Sequence, residues 1–260
     1  RSHGVLYTEL FWNWTGLKHF YGFEAGQAAI IEGLKIAEER FGIKGRLIPA
    51  IDREATPEDA VELVEEMIAH RAPETIGLGI DYRETLHEPE NFWKAFRLAK
   101  EAGFGITIHA GEFGEHFRNV ETAVELCGAD RIDHGYTITD APELMAGYAK
   151  RGIIFSVVPT NSYYLRTFTD EEWAERHPTR AMAKAGLRIY PNSDDPTMHH
   201  VTVAESWRLM YQFLDFSIAD LRAMIEASID AAWTTDEEKA AWRAAWLPEF
   251  DRQAKACGLA

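Results

Sequence analysis

The chain has 260 residues, 46% of them hydrophobic, and a formal net charge of −15. That length and apolar content suit one folded domain of roughly 250 residues and exclude a disordered chain. The acidic balance argues against a nucleic-acid partner, which would need clustered Lys and Arg, and it suits a small neutral ligand.

The chain opens Arg1-Ser2-His3-Gly4 and runs at once into a strand-like segment over 4–11. So abrupt a start predicts that something upstream is missing. Trp12, Trp14, Phe20 and Tyr21 follow, read either as an apolar cover over a flat ligand or as packing of the rim. A helix is expected over 24–41 and a strand over 45–52, with Arg53 just beyond it. The helix over 57–71 is signalled by Thr56 as cap, Pro57 in the first turn, and Val61, Val64 and Ile68 on one face. A strand over 75–81, a helix over 90–102, a strand over 105–110, a helix over 117–127 and a strand over 130–135 continue the alternation. A helix over 141–151, a strand over 152–158, a helix over 173–185 and a strand over 187–192 complete it.

One cadence recurs: Lys100-Glu101-Ala102-Gly103, Lys150-Arg151-Gly152 and Lys184-Ala185-Gly186 each precede a short apolar run. Lys complements the negative end of a helix, Gly closes it in a left-handed turn, and the run is a strand buried on both faces. After residue 200 only helices are expected, over 201–215, 218–231 and 235–247. Ser217–Asp220 and Thr235–Glu238 have the spacing of capping boxes. Strands alternating with helices imply a parallel sheet. The fold class is α/β: a (β/α)8 TIM barrel whose first βα unit is absent from the chain, with extra C-terminal helices, as a single domain over 1–260. Neither Cys127 nor Cys257 belongs to a Cys-x-x-Cys pair, which argues against a cysteine-built zinc site. No signal peptide or membrane-length apolar run is visible, so the cytoplasm is the default expectation.

Such a barrel carries its active site at the C-terminal ends of its strands. One strand ends Ile108-His109-Ala110-Gly111-Glu112, another Ile132-Asp133-His134-Gly135, and a third leads into Asn192-Ser193-Asp194-Asp195-Pro196. Each alone has an ordinary structural explanation: a core histidine, a solvated glutamate, a surface turn. Together they bring two histidines and three carboxylates to one rim. Histidine and carboxylate suit zinc or a similar divalent ion. Such an ion ionises water near neutrality, and a neighbouring Glu can then move protons.

The motifs His-Ala-Gly-Glu, Asp-His-Gly and Asn-Ser-Asp-Asp-Pro, in this order, resemble the adenosine/adenine deaminase family of metal-dependent hydrolases. The resemblance covers nearly the whole chain. It includes the segment from Gly4 to Glu9 as the family's second strand, Arg53, and Pro159-Thr160-Asn161-Ser162. It implies one Zn2+ ion, with His109 and Asp194 as ligands. It implies that Glu112 protonates the purine ring, that His134 orients the attacking hydroxide and stabilises its charge, and that Asp195 bonds a ring nitrogen. The expected substrate is a small purine base or nucleoside bearing a 6-amino group, with no nucleic acid and no membrane as partner. In the Ile80-Asp81-Tyr82-Arg83-Glu84 segment, Asp81 and Glu84 resemble the adenine deaminase branch. There Glu84 is expected to accept a bond from a free base's ring N–H, its other reading being a solvated loop residue. The family's first strand carries a His-x-His pair, and none occurs here. Catalytic zinc normally has at least three protein ligands. His199-His200 is a poor substitute, because adjacent residues point apart. Two other readings compete: the same metal site cleaving a cyclic amide or ester, and a non-catalytic purine-binding module lacking part of its metal site. The first is weakened because no lysine ends a strand, the second because Glu112, His134 and both aspartates are retained.

Overall fold

The computed structural model describes residues 1–160 and 169–259, which form two compact units, Arg1–Thr137 and Ile138–Ala260. In the first, β1 (Tyr7–Trp12), β2 (Lys44–Asp52), β3 (Gly77–Asp81), β4 (Gly105–Ala110) and β5 (Arg131–His134) pair in sequence order, every pair parallel. The connecting helices are α1 (Phe23–Phe41), α2 (Pro57–Ala69), α3 (Trp93–Glu101) and α4 (Arg118–Glu125). Residues 47–52 of β2 are buried without interruption, as expected of a parallel strand covered on both faces. Leu47, Ile51, Ile80, Ile106, Ile108 and Ile132 lie in the core.

In the second unit, β6 (Ile154–Val157) and β7 (Arg188–Pro191) pair in parallel. Its helices are α5 (Pro142–Arg151), α6 (Asp170–Arg176), α7 (Pro178–Lys184), the short α8 (Pro196–His199), α9 (Val203–Gln212), α10 (Ile218–Ala231) and α11 (Asp236–Ala256). The architecture is a partial (β/α) barrel with added C-terminal helices, the expected class. The three glycines of the Lys–Gly cadence, Gly103, Gly152 and Gly186, have φ of +83°, +71° and +86°. Asn161 and Ser162 lie outside the described residues. Among those described, no helix is long and apolar enough to cross a membrane.

Some expectations need correcting. The capping box at Thr56 and Asp59 forms, but the face that α2 buries is Ala60, Leu63, Val64 and Met67, with Ile68 exposed. Leu63 and Met67 share a stripe that includes Val64, so the apolar side lies slightly round from the one expected. Helix α11 continues through Pro248 to Ala256, anchored on either side by the buried Leu247 and Ala254. One proline removes a single ladder bond, and packing on both sides holds the helix together.

The helix expected over 173–185 breaks at His177, whose backbone is extended (φ −62°, ψ 124°) ahead of Pro178. A residue before proline is driven out of the helical region. His177 Nδ1 accepts from the Thr179 N–H at 3.3 Å, and its ring meets Trp173 edge to face. Burial lowers its pKa from 6.5 to about 3. As pH falls below 6.5 the unfolded chain binds a proton that the folded chain refuses. The stability from this group is therefore complete above that pH and declines below it, by at most about 1.4 kcal/mol per pH unit. His177→Asn, which keeps an acceptor for Thr179, is expected to flatten the acid limb of the urea midpoint plotted against pH. An unchanged limb would show that His177 does not set it.

Candidate active site

In the first unit the ends of β2 to β5 converge through a small set of buried polar side chains. Strand β4 delivers His109, and β5 pairs beside it so that Ala110 faces His134 in register. The two imidazoles lie 4.7 Å apart between centroids, at 70°. The chain then turns sharply at Gly111, φ +72°. A Cβ there would stand 2.5 Å from Thr137 Oγ1 and 2.9 Å from Val120 Cγ2, so only glycine fits. This turn brings Glu112 Oε2 to 3.7 Å from His134 Nε2, with His134 1% exposed and Glu112 7% exposed. His134 itself has φ +66°, a conformation that costs a non-glycine residue about 1–3 kcal/mol.

A polar column runs through the strands to His109. The Tyr7 hydroxyl donates to Glu9 at 2.8 Å, and Arg131 donates to Glu9 at 2.5 Å and to Thr107 Oγ1 at 3.2 Å. The Thr107 hydroxyl donates to Asp133 at 2.6 Å, and Asp133 Oδ2 lies 3.3 Å from His109 Nδ1. Burial pushes the Asp133 carboxyl up, but the bond and charge of His109, with Arg131 and Thr107, prevail and hold it at about 2. An imidazole whose Nδ1–H faces a carboxylate presents a basic Nε2 on its other side, the usual condition of a metal-binding histidine. The residues therefore fit a divalent cation at His109. Sequence periodicity did not reveal this column. The signal available was charge inside otherwise apolar strands, Glu9 in β1 and Arg131 in β5.

Arg53, just beyond β2, is wholly buried. Its guanidinium donates to the His87 carbonyl at 2.5 Å and to the His109 carbonyl. Burial draws its pKa down, opposed by Glu84, Glu112 and Asp81. Asp81, at the end of β3, accepts from Asn13 Nδ2 at 2.5 Å. Glu84 is not a solvated loop residue: it is 1% exposed and accepts from Gly111 N–H at 2.6 Å, Glu112 N–H at 2.8 Å and Asn119 Nδ2 at 2.9 Å. Of the aromatic group, Trp12 and Trp14 are buried against Phe23, whereas Phe20 is 81% exposed. The two tryptophans thus pack the rim.

In the second unit β7 leads into the two aspartates. Asn192 Nδ2 donates to Ser156 Oγ at 3.1 Å, and Asn192 Oδ1 accepts from the N–H groups of Ser193 and Asp194. This side-chain-stabilised turn holds Asp194 at φ +56° and places the exposed Asp195 immediately before α8. His199 closes α8, and His200 follows at φ +51°.

A parallel βα scaffold with His, Glu and Asp at its strand ends is the arrangement of an amidohydrolase. The profile of the adenosine deaminase family matches residues 1–245. An adenine deaminase of Rhizobium rhizogenes is 32% identical over 239 residues, 92% of this chain and 73% of that protein. Among solved structures, an amidohydrolase from Burkholderia ambifaria with bound zinc is 56% identical, with a TM-score of 0.96 over 98% of this chain and 71% of that one. The adenine deaminase of Arthrobacter aurescens is 25% identical, with a TM-score of 0.87 over 98% of this chain and 75% of that one. This chain belongs to the adenosine deaminase family, as its three motifs led us to expect, and it is an aminohydrolase.

Proposed function

We propose that the chain catalyses zinc-dependent hydrolytic deamination of a 6-aminopurine, as one barrel domain over 1–260. The observation that supports this most directly is the Gly111 turn, which sets Glu112 against His134 beside the His109 ring. His109 and Asp194 would be zinc ligands. Zinc bound there supplies the Lewis acidity that lets water act as a nucleophile near neutral pH. In the reaction, water oxygen bonds to C6 and the C6–N bond breaks. One proton of the water ends on the ring nitrogen and the other leaves with ammonia. Glu112 holds and delivers the proton to the ring nitrogen. His134, beside it, orients the water and stabilises its developing charge. Asp195 bonds a second ring nitrogen, and Asp81, steadied by Asn13, borders the base. The family resemblance supports these last roles.

The relatives named for adenine make the free base the first substrate to try. Ammonia release from adenine and from adenosine, measured side by side on the purified chain with zinc bound, tests the proposal. Release from either supports it, and the faster one names the branch. Zinc-loaded protein that releases none from any 6-aminopurine would overturn it.

A further inference from the structure

Glu84 is a buried carboxylate that the proposed reaction does not use. A buried carboxylate is costly unless donors and a cation compensate it, and here both do. Three N–H donors point at its two oxygens, and the Arg53 charge favours its partner. Two of those donors are the consecutive backbone amides of Gly111 and Glu112, the residues that make the turn and carry the acid. Arg53 grips the same segment from the other side, through the His109 carbonyl. The peptide stretch from His109 to Glu112 is therefore clamped between a cation on its carbonyl and an anion on its amides. A carboxylate offers about four acceptor positions, and three are committed to the protein.

We infer that Glu84 is a positioning residue for Glu112, fixing the backbone that aims the proton donor rather than meeting the purine. This rests on the deaminase reading for its kinetic consequence but not for its structural one. Without the anion, two adjacent buried N–H groups lose their shared acceptor and the turn relaxes. The acid then points less accurately at the ring nitrogen, while substrate contacts elsewhere are untouched.

The test uses zinc-saturated Glu84→Gln, which keeps size but presents an amide N–H₂ toward one backbone N–H. Removing a group that orients a site residue costs about 10–100-fold. That loss is expected in kcat, with KM for adenine or adenosine unchanged, and amide hydrogen exchange should rise in the peptide spanning 105–113 but not in β2. Asn119→Ala removes one donor and keeps the charge. It should lower kcat by about fivefold, and it serves if Glu84→Gln does not fold. A raised KM with wild-type kcat would make Glu84 a substrate contact and overturn the inference. Faster exchange with wild-type kcat, or no change in either, would also overturn it. If the wild type itself releases no ammonia, the deaminase reading fails on its own. The exchange measurement then still decides whether Glu84 holds the turn.

Discussion

Glu112→Gln lowers ammonia release from the preferred 6-aminopurine by about 10²–10⁴-fold and leaves zinc content at the wild-type level. The amide fills the same space and still hydrogen-bonds, but it cannot cede a proton to a ring nitrogen, and transfer by a positioned acid contributes a factor of that size. The Glu112 backbone bond to Glu84 at 2.8 Å does not depend on the Glu112 side chain, so the turn at Gly111 survives the change. The measurement is kcat alongside metal analysis of the same sample. Wild-type kcat in the variant would remove Glu112 from the chemistry. Low kcat accompanied by lost zinc would mean that it serves the metal instead.

Arg53→Met has the largest expected effect on stability, about 3 kcal/mol of destabilisation, from two buried carbonyls that each lose a charged donor. Methionine fills most of the volume but leaves the carbonyls of His87 and His109 without this donor, and removes a positive charge that the nearby Glu84 favours. A loss of that size lowers Tm by roughly 10 °C in a chain of this length. The part of the loss that comes from the attraction between Arg53 and Glu84 should be absent in the double variant with Glu84→Gln. A thermal melt of the single and double variants checks both statements. A single variant as stable as the wild type would show that the guanidinium is dispensable.

Strands β4, β6 and β7 were legible because each is a short apolar run introduced by the same Lys–Gly cadence, and helices α2, α10 and α11 because their caps have spaced signatures. Thr56, Ser217 and Thr235 each accept from the N–H three residues on. His109, Glu112, His134, Asp194 and Asp195 stood out as candidates because several strands ending in reactive side chains are harder to explain together than singly, and the structure sets the first three side by side. What escaped was long-range. Arg131 meets Glu9 across 122 residues of chain, and no periodicity reports a pair so far apart. That Glu84 is buried rather than solvated was not legible, because two of its three partners are backbone amides, which carry no sequence signal. The break before Pro178 was visible in the sequence, yet the apolar rhythm on both sides of it outweighed one proline.

The column from Tyr7 to Asp133 has a consequence for which substitutions β1 can accept. Inward positions of a barrel are usually filled by interchangeable branched apolar residues, chosen for volume. Here Tyr7 and Glu9 are linked through Arg131 and Thr107 to the carboxylate beside His109 Nδ1. The carboxylate that faces His109 is thus held in place partly by side chains of β1. Variation in β1 is constrained by hydrogen bonding as well as by shape, and an exchange of equal volume at Glu9 would remove the carboxylate that joins Tyr7 to Arg131 without changing the space it fills.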